Sequence, residues 1–416
     1  AAGGPGVAGR GSGTRWGRHP DLMRMRVLNV GRGDCTVSAT PEDADGDRKV
    51  LIVDAGETSM EGNEARDVVE PYLRRRLDDG PAGRPQVKVD YFVATHYHKD
   101  HIGWPREGKD TGFFYLYDTP GVKIDKVLDS GLDYDASGGL DVVYAEWAEA
   151  RDMPREALAF DQLGEGRQID LGPDIWVEVL AVGARVDGMD DRVLKPQWLS
   201  TTSQNDFSIA LVVHFKQFDF FVAGDLSGYF HKSWGNYYHN IEGAMSDSLR
   251  DLEVLRVSHH GSQWSTNYPF LQRTRPQVSV ISCGKGHHHP NEYTVRRLLG
   301  WENHWTGWPT GSDVYQTEMK DGFLFEGPEP YTGRTQRVAN GHIVIETDGV
   351  NGFSVWYEEL GEPVVYPLDK RDAYTDVPDK ILARRAGEDG DLPDVIEADE
   401  IDITTLIEIY DEPRGD

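Results

Sequence analysis

Residues 95–101, with the sequence Thr-His-Tyr-His-Lys-Asp-His, contain four potential metal ligands within six positions. They directly follow residues 89–94, an apolar run that is short and rich in β-branched and aromatic side chains and therefore indicates a buried strand. A strand that ends in this motif puts its ligands in a loop at the sheet edge, where they can converge on a metal. Imidazole nitrogens and a carboxylate oxygen suit zinc. The alternative is a surface loop that is rich in histidine by chance.

The spacing divides these four ligands into two pairs. His96 and His98 are two residues apart, so they share a face on extended backbone and can hold one ion. Asp100 and His101 follow where the chain turns away, and they can serve a second ion nearby. The motif therefore suits a site with two metals.

The composition narrows the classes of function. The chain has 416 residues and a formal net charge of −28. This charge argues against broad binding to duplex nucleic acid, which needs Lys and Arg to neutralise phosphates. A nucleotide or a single-stranded end can still enter a cleft whose metal ions dominate the local charge. Only two cysteines occur, so any metal site must be built from His, Asp and Glu. No apolar run approaches the roughly 18 residues that cross a bilayer, so we expect a soluble protein without a membrane partner, in the cytoplasm rather than secreted.

We expect three segments along the chain. Residues 1–20 are rich in Gly, Ala and Arg and predict a flexible leader. Residues 21–365 are expected to form one α/β domain, with an insertion at about 104–170. Residues 366–416 form an acidic C-terminal tail. This tail is either disordered and solvated or a short segment that docks on its own body or on a protein partner.

Periodicity predicts strands that alternate with helices in both halves of the chain. A first hairpin is expected between residues 25–30 and 50–53, and an amphipathic helix over 64–77. Asn291 predicts the start of a late helix, which Gly300 ends. This alternation indicates two packed β-sheets with helices outside, a four-layer αββα arrangement. The other predicted elements are a helix at 144–158 and strands at 207–215, 218–223, 252–257, 278–282, 341–346 and 353–357.

Four further segments each follow a predicted strand with a polar group. Asp54 is either the hydrogen-bond acceptor that orients a ligand histidine or a turn-forming residue. Asp225 can put one carboxylate oxygen on each of two metals. One of His259 and His260 can complete the second metal while its neighbour faces the substrate. His289 either donates a hydrogen bond to a developing anionic oxygen or belongs to a polar loop that starts a helix.

The ordered set of motifs resembles the metallo-β-lactamase superfamily. More narrowly, it looks like the metallo-hydrolase domain of ComEC-type DNA-uptake proteins and their free-standing soluble relatives. The resemblance covers residues 25–357 and implies a four-layer αββα metallo-β-lactamase sandwich with insertions. The motifs are Val-Gly-Arg-Gly-Asp at 30–34, Val-Asp-Ala-Gly at 53–56, the histidine motif at 96–101, Ala-Gly-Asp at 223–225 and Ser-His-His-Gly-Ser at 258–262, with closing segments at 280–284, 289–290, 314–317 and 341–349.

The resemblance implies a dinuclear site for two divalent ions, zinc in preference to manganese. In catalysis, Asp100 would also orient the nucleophile, and His259 would face the substrate together with His289. The implied ligands are His96 and His98 for the first ion, Asp100, His101 and one of His259 or His260 (preferably His260) for the second, and Asp225 as the bridge.

One departure from the wider superfamily concerns the first ion. Where a further histidine usually precedes the bridging aspartate, this chain carries Asn205 and Asp206, and the narrower subgroup also tends to carry Asn there. The first ion is then short of one ligand, and either Asp206 or water completes it. We therefore expect Asn205 and Asp206, like Asp54, to lie beside the ligands.

The implied chemistry is metal-assisted hydrolysis by a hydroxide that bridges the two ions. A phosphodiester fits best, because two cations stabilise both the attacking and the leaving oxygen. We expect a phosphodiesterase or nuclease that acts on a small or single-stranded substrate, with the aromatic segment 229–238 shaping a pocket. One alternative is hydrolysis of a lactone, thioester or β-lactam at the same site. Another is a metal-free binding or assembly module of the same fold.

Overall fold

The computed structural model of the protein describes thirteen segments of the chain. The predicted leader, apart from Pro20, and the predicted tail beyond residue 368 lie outside them. The described residues are 20–56, 65–77, 86–131, 139–160, 167–189, 191–194, 201–245, 248–285, 288–300, 311–318, 333–338, 340–358 and 360–368.

These segments contain nineteen strands and seven α-helices. The strands are β1 (Met23–Val27), β2 (Thr36–Ala39), β3 (Val50–Val53), β4 (Val87–Val93), β5 (Val122–Asp129), β6 (Arg155–Ala157), β7 (Ile175–Val182), β8 (Arg185–Val186), β9 (Ala210–Phe215), β10 (Phe218–Ala223), β11 (His231–Ser233), β12 (Asn236–Tyr238), β13 (Val254–Arg256), β14 (Val278–Ile281), β15 (Asp313–Gln316), β16 (Gln336–Val338), β17 (Ile343–Thr347), β18 (Gly352–Tyr357) and β19 (Leu360–Pro367). The helices are α1 (Glu70–Leu77), α2 (Lys99–Ile102), α3 (Gly112–Asp118), α4 (Leu140–Glu149), α5 (Ile241–Met245), α6 (Tyr268–Thr274) and α7 (Glu292–Leu299).

Two large mixed sheets organise the fold. The first has nine strands in the order β19-β18-β17-β1-β2-β3-β4-β5-β6, and the second has eight in the order β16-β15-β14-β13-β10-β9-β7-β8. The strands β3 to β6 run parallel in the first sheet, as do β10 and β13 to β16 in the second. Parallel strands end at the same edge, so the loops that follow them meet there.

Both faces of the central strands of each sheet are buried. On β3, Leu51 and Val53 join a core shared with the second sheet, whereas Val50 and Ile52 join a core that also contains helical residues. On β10, Phe220 faces the shared core and Phe221 packs against Phe270 of α6. Alternate residues of a strand point to opposite faces. One core therefore lies between the sheets and the other lies under the helices, which confirms the predicted four-layer αββα sandwich.

Several predicted elements need correction. The first hairpin was wrong in its pairing, because β2 lies between β1 and β3 and pairs with both. The helix expected over 64–77 is a π-helical turn at Ala65–Val69 followed by α1, in which Pro71 is the second residue. The helix expected at 144–158 is α4, which starts and ends earlier.

The late helix α7 has the predicted ends. The Asn291 side chain accepts a hydrogen bond from the Tyr293 amide, and Gly300 adopts a left-handed φ of 78° at the C-terminus. The range expected as an insertion, about 104–170, contributes β5 and β6 to the edge of the first sheet. Within the described residues, no helix is long and apolar enough to cross a bilayer.

Candidate metal centre

Two groups of potential ligands share one carboxylate. His96, His98 and Asp225 form the first group, and Asp34, His101, Asp225 and His260 form the second. Within each group the ligand atoms all lie within 4.8 Å of one another. Asp225 thus lies where a carboxylate could bridge two ions, and six side chains from four separate parts of the chain meet at one point.

The loops after β3 and β4 hold this arrangement through backbone contacts. The Asp34 amide donates to the Asp100 carbonyl at 2.9 Å, and the Ala55 amide donates to the His101 carbonyl at 2.8 Å. Gly56 permits this approach, because a Cβ atom there would lie 1.7 Å from the Asp100 carbonyl oxygen. The glycine of the Val-Asp-Ala-Gly motif is therefore needed for the close packing of the loop after β3 against the histidine loop after β4.

Asp54 fixes the orientation of His101. Its Oδ1 accepts from the Thr95 amide at 2.9 Å, and its Oδ2 accepts from Thr95 Oγ1 at 2.7 Å and from His101 Nδ1 at 2.8 Å. With Nδ1 engaged, His101 turns Nε2 toward the centre, where it lies 3.1 Å from Asp225 Oδ1. An acceptor of this kind fixes the tautomer of a metal-binding histidine and raises its basicity.

His260 is oriented in the same way by a backbone carbonyl. Its Nδ1 lies 3.0 Å from the Ser282 carbonyl oxygen, to which it can donate. Its Nε2 lies 3.7 Å from Asp225 Oδ1 and 3.8 Å from Asp100 Oδ2. Residues 259–261 all have positive φ values, 50° and 51° at His259 and His260 and 78° at Gly261. Such strained backbone concentrates at functional sites, and here it turns the two imidazoles out of the loop after β13.

The pKa shifts at the centre favour the metal-binding protonation states of several of its side chains. Burial, and then the neighbouring imidazoles, hold the pKa of His96 well below its usual value. Burial also lowers the pKa of His98, and that of His260 to about 4, so these rings are neutral at pH 7. Burial raises the pKa of Asp225, but the positive charge of His101 outweighs it and keeps the carboxyl ionised. Neutral imidazole and ionised carboxylate are the forms that bind metal. His101 is the exception: burial lowers its pKa, but Asp225 and Asp54 outweigh burial and raise the pKa well above its usual value, so an ion that binds this ring must displace a proton.

The motif Val-Gly-Arg-Gly-Asp contributes a potential ligand that the sequence did not predict. Asp34 is buried, and its Oδ2 lies 3.7 Å from His260 Nδ1 and 3.8 Å from His101 Nδ1. It also forms an ion pair with the buried guanidinium of Arg256, whose other NH group donates to the Ala223 carbonyl. The sequence did contain a signal for Asp34, because this carboxylate ends the glycine-rich motif at 30–34 that is part of the family resemblance. However, no local pattern in the sequence indicates that residue 34 lies near the histidine loop.

Other predicted site residues lie outside both groups. Asp100 Oδ2 lies 3.8 Å from His260 Nε2, beside the second group, so the role of Asp100 as a ligand of the second ion stays a prediction. His259 also lies outside, with its Nε2 3.8 Å from Asp225 Oδ2. The ring of His289 lies beside that of His259, with 5.2 Å between their centroids. Asp100, His259 and His289 therefore lie next to the two ligand groups, in the loops that carry the histidines.

Asn205 and Asp206 occupy different surroundings. Asn205 Nδ2 lies 3.2 Å from His259 Nε2, so it contacts the histidine that was predicted to face the substrate. Asp206 Oδ2 accepts from both the amide and Nδ1 of His239, at 2.8 and 2.7 Å. Asp206 joins neither group, because this carboxylate holds His239 instead. His239, which the sequence did not single out, is the partner of this carboxylate.

The donor set fits divalent metal ions. His260 Nε2 and Asp34 Oδ1 are buried and hydrogen-bond to none of the described residues, which is costly unless an ion satisfies them. Separations near 3.7 Å suit two ligands that each lie about 2 Å from one zinc ion. The buried His and Asp side chains thus form a candidate metal site.

The sequence comparisons give two curated relatives over part of the chain. The chain is 28% identical over 116 residues to ComE operon protein 3 of Bacillus subtilis (strain 168), a match that covers 27% of this chain and 14% of that protein. It is 28% identical over 98 residues to Recombination protein 2 of Haemophilus influenzae, covering 24% of this chain and 11% of that one. No family model matches the chain. The two relatives confirm the predicted resemblance to ComEC-type proteins.

Solved structures give more distant likenesses. Unliganded yeast PDE1 matches with a TM-score of 0.37 and 11% identity, over 78% of this chain and 99% of that one. Zn²⁺-bound PqqB from Methylobacterium extorquens matches with a TM-score of 0.40 and 9% identity, over 70% of this chain and 98% of that one. The fold itself rests on the sheet order and strand directions of this chain, with two packed sheets and helices on their outer faces.

Proposed function

We propose that the protein is a phosphodiesterase or nuclease that depends on two divalent ions, zinc in preference to manganese. The observation that carries this proposal is the shared position of Asp225 in two buried ligand groups. A carboxylate common to both groups suits two ions held a short distance apart, which is the arrangement that in-line displacement at phosphorus uses.

The ligand groups suggest how the ions would be held. His96 and His98 would hold one ion, and Asp34, His101 and His260 would hold the other, with Asp225 between them. When bound, two such ions supply a water that ionises near neutral pH and positive charge for the oxygens of a phosphodiester. Asp54 fixes His101 and the Ser282 carbonyl fixes His260, so both rings are orientated before any ion arrives.

Histidines outside the ligand groups would handle the substrate. His259 and His289 lie side by side, and Asn205 contacts the His259 ring at 3.2 Å. Imidazoles in this position can donate hydrogen bonds to phosphoryl oxygens or pass a proton to the leaving oxygen. Asp100 at the rim lies 3.8 Å from His260 Nε2 and can accept a hydrogen bond from the attacking water.

Two further facts favour a phosphodiester from nucleic acid. The Haemophilus relative is named Recombination protein 2, and recombination is a reaction of nucleic acid. The net charge of −28 also disfavours wrapping of duplex DNA but allows a single strand to reach a metal centre. We therefore favour a small or single-stranded substrate over lactones, thioesters and β-lactams.

Turnover of three substrates after loading with Zn²⁺ or Mn²⁺ tests the proposal. Bis(p-nitrophenyl) phosphate and a linear single-stranded oligonucleotide should be hydrolysed, and nitrocefin should not. Asp225→Asn should lose activity and bound metal. Asp219→Asn, a buried aspartate that contacts a histidine at the far end of β10, is the matched control and should keep both. Faster hydrolysis of nitrocefin than of either phosphodiester, or full activity of Asp225→Asn, would contradict the proposal.

A further inference from the structure

The hairpin of β11 and β12 carries a tryptophan, Trp234, whose side chain does not pack against the rest of the fold. His231 pairs with Tyr238 and Ser233 with Asn236, so Trp234 and Gly235 form a two-residue turn. Both have positive φ, 52° at Trp234 and 86° at Gly235, as in a type I′ turn. Asn and Gly suit these positions, whereas a bulky residue there is strained. Trp234 is nevertheless 95% exposed, so it buries almost nothing in exchange. A strained and exposed tryptophan points to a binding role.

Three stacked rings lie at the other end of the same hairpin. His231 lies between Tyr238 and Trp264, with ring centroids 4.4 and 4.6 Å apart and interplanar angles of 10° and 18°. All three rings are only partly buried. Across the hairpin, Phe230 stacks on Tyr237 at 6.0 Å and 14°. The segment therefore presents flat ring faces on which nucleobases can stack.

Both ends of the hairpin connect to loops beside the metal centre. It begins after Asp225, where the Gly228 amide donates to the carbonyl of Trp264, a residue of the loop that carries His260. It ends at His239, whose ring is held by Asp206. A chain whose phosphodiester lies at the metal centre would thus have its neighbouring nucleotides beside these rings.

The charge of the segment also suits a polyanion. The chain has 71 Asp and Glu among 416 residues, yet none occurs between Asp225 and Glu242. Lys232 lies within this stretch, with its Nζ 4.8 Å from the centroid of the Tyr237 ring. A phosphate backbone can approach here without the repulsion that it meets over most of this acidic protein.

We propose that the β11–β12 hairpin is a stacking platform for the bases of a single-stranded nucleic acid, with Trp234 as its outermost ring. This inference rests on the proposed function in one respect, because it takes the scissile phosphodiester to lie at the metal centre. Base stacking on an aromatic side chain tolerates any sequence, so the platform would select single strands without selecting bases.

Binding of an uncleavable probe tests this platform without any turnover. The probe is a fluorescein-labelled phosphorothioate oligothymidylate, compared with an abasic phosphorothioate of the same length, and anisotropy gives the Kd. Trp234→Asn installs a residue that suits the turn, so the hairpin should fold at least as well, as a thermal melt will check. Its affinity for the thymidylate should fall about 5- to 100-fold, while its affinity for the abasic probe stays unchanged. Trp234→Phe, which keeps a ring, should retain most of the affinity.

The outcomes separate the platform from the catalytic proposal. Unchanged thymidylate binding by Trp234→Asn, or an equal loss for the abasic probe, would overturn the platform even if phosphodiesters are hydrolysed. Base-dependent binding by a protein that hydrolyses no phosphodiester would support the platform and overturn the proposed function. Binding to phosphatidylglycerol vesicles that depends on Trp234, without an effect on the thymidylate, would assign the residue to a lipid surface and overturn the inference.

Discussion

Replacing Asp54 with Asn should weaken metal binding without touching a ligand. The carboxylate accepts three hydrogen bonds, two from Thr95 and one from His101 Nδ1 at 2.8 Å. An Asn has one acceptor oxygen. If that oxygen faces the Thr95 amide, the new NH₂ group faces His101 Nδ1, which must then accept and move its proton to Nε2. In that tautomer His101 cannot bind a metal through Nε2.

The opposite orientation of the Asn amide also has a cost. Its oxygen would keep the hydrogen bond from His101, but its NH₂ group would then meet the Thr95 amide, donor against donor. A buried donor without a partner costs about 1–3 kcal/mol. Both orientations therefore predict a similar penalty, which agrees with the roughly 10- to 100-fold loss of metal affinity found when the partner of a metal-binding histidine is removed. We expect that loss, about 1.4–2.7 kcal/mol, for the ion held by His101.

Competition against a fluorescent zinc chelator measures this affinity directly. Asp219→Asn is the matched control, because Asp219 contacts His214 Nδ1 at 2.7 Å at the opposite end of β10. The control should bind metal as the wild type does, and circular dichroism should show both variants folded. Wild-type metal affinity in a folded Asp54→Asn protein would refute the role given to this hydrogen bond.

Two further predictions concern residues outside the ligand groups. His289→Ala should lower kcat by roughly 100-fold, as expected for loss of one donor to a developing anion, and metal analysis should find both ions retained; their loss would make His289 a ligand. His214 lies in the outer face of the second sheet, where burial lowers its pKa but Asp219 and a neighbouring glutamate outweigh it and raise the pKa to about 9. Because this pKa is raised above the unfolded value near 6.5, protonated His214 stabilises the fold fully below pH 6.5, and this stabilisation of roughly 3 kcal/mol is lost as pH rises through 9. Between pH 6.5 and 9, urea unfolding of His214→Gln should show a smaller fall in the free energy of unfolding than the wild type shows. His288→Gln, at an exposed histidine, is the control. Parallel curves of unfolding free energy against pH for His214→Gln and the wild type would contradict this.

Local patterns were enough to predict the core of the fold. The apolar run before His96 is β4, the run before Asp225 is β10, and the cap at Asn291 starts α7. Each of these signals depends on residues adjacent in sequence. The strand β2 was missed because Thr36–Ala39 is short and only weakly apolar, so the pattern of the first hairpin skipped it.

The candidate site was predicted less completely because its remaining parts depend on contacts between distant residues. Asp34 reaches His101 only because β1 and β2 fold beside β3, and the pairing of Asp206 with His239 joins loops that are 33 residues apart. The stacking of His231 on Trp264 likewise needs the β11–β12 hairpin to fold over the loop after β13. Strand-end motifs suggested which residues converge, but not which carboxylate each imidazole meets.

Metal content per chain tests the central claim most directly. After the protein is loaded with Zn²⁺ and freed of excess ion, inductively coupled plasma mass spectrometry should find two ions per wild-type chain. The same measurement on Asp225→Asn should find fewer than one, because this carboxylate belongs to both ligand groups. Two tightly bound ions in Asp225→Asn, or none in a folded wild-type protein, would contradict a centre built around a shared aspartate.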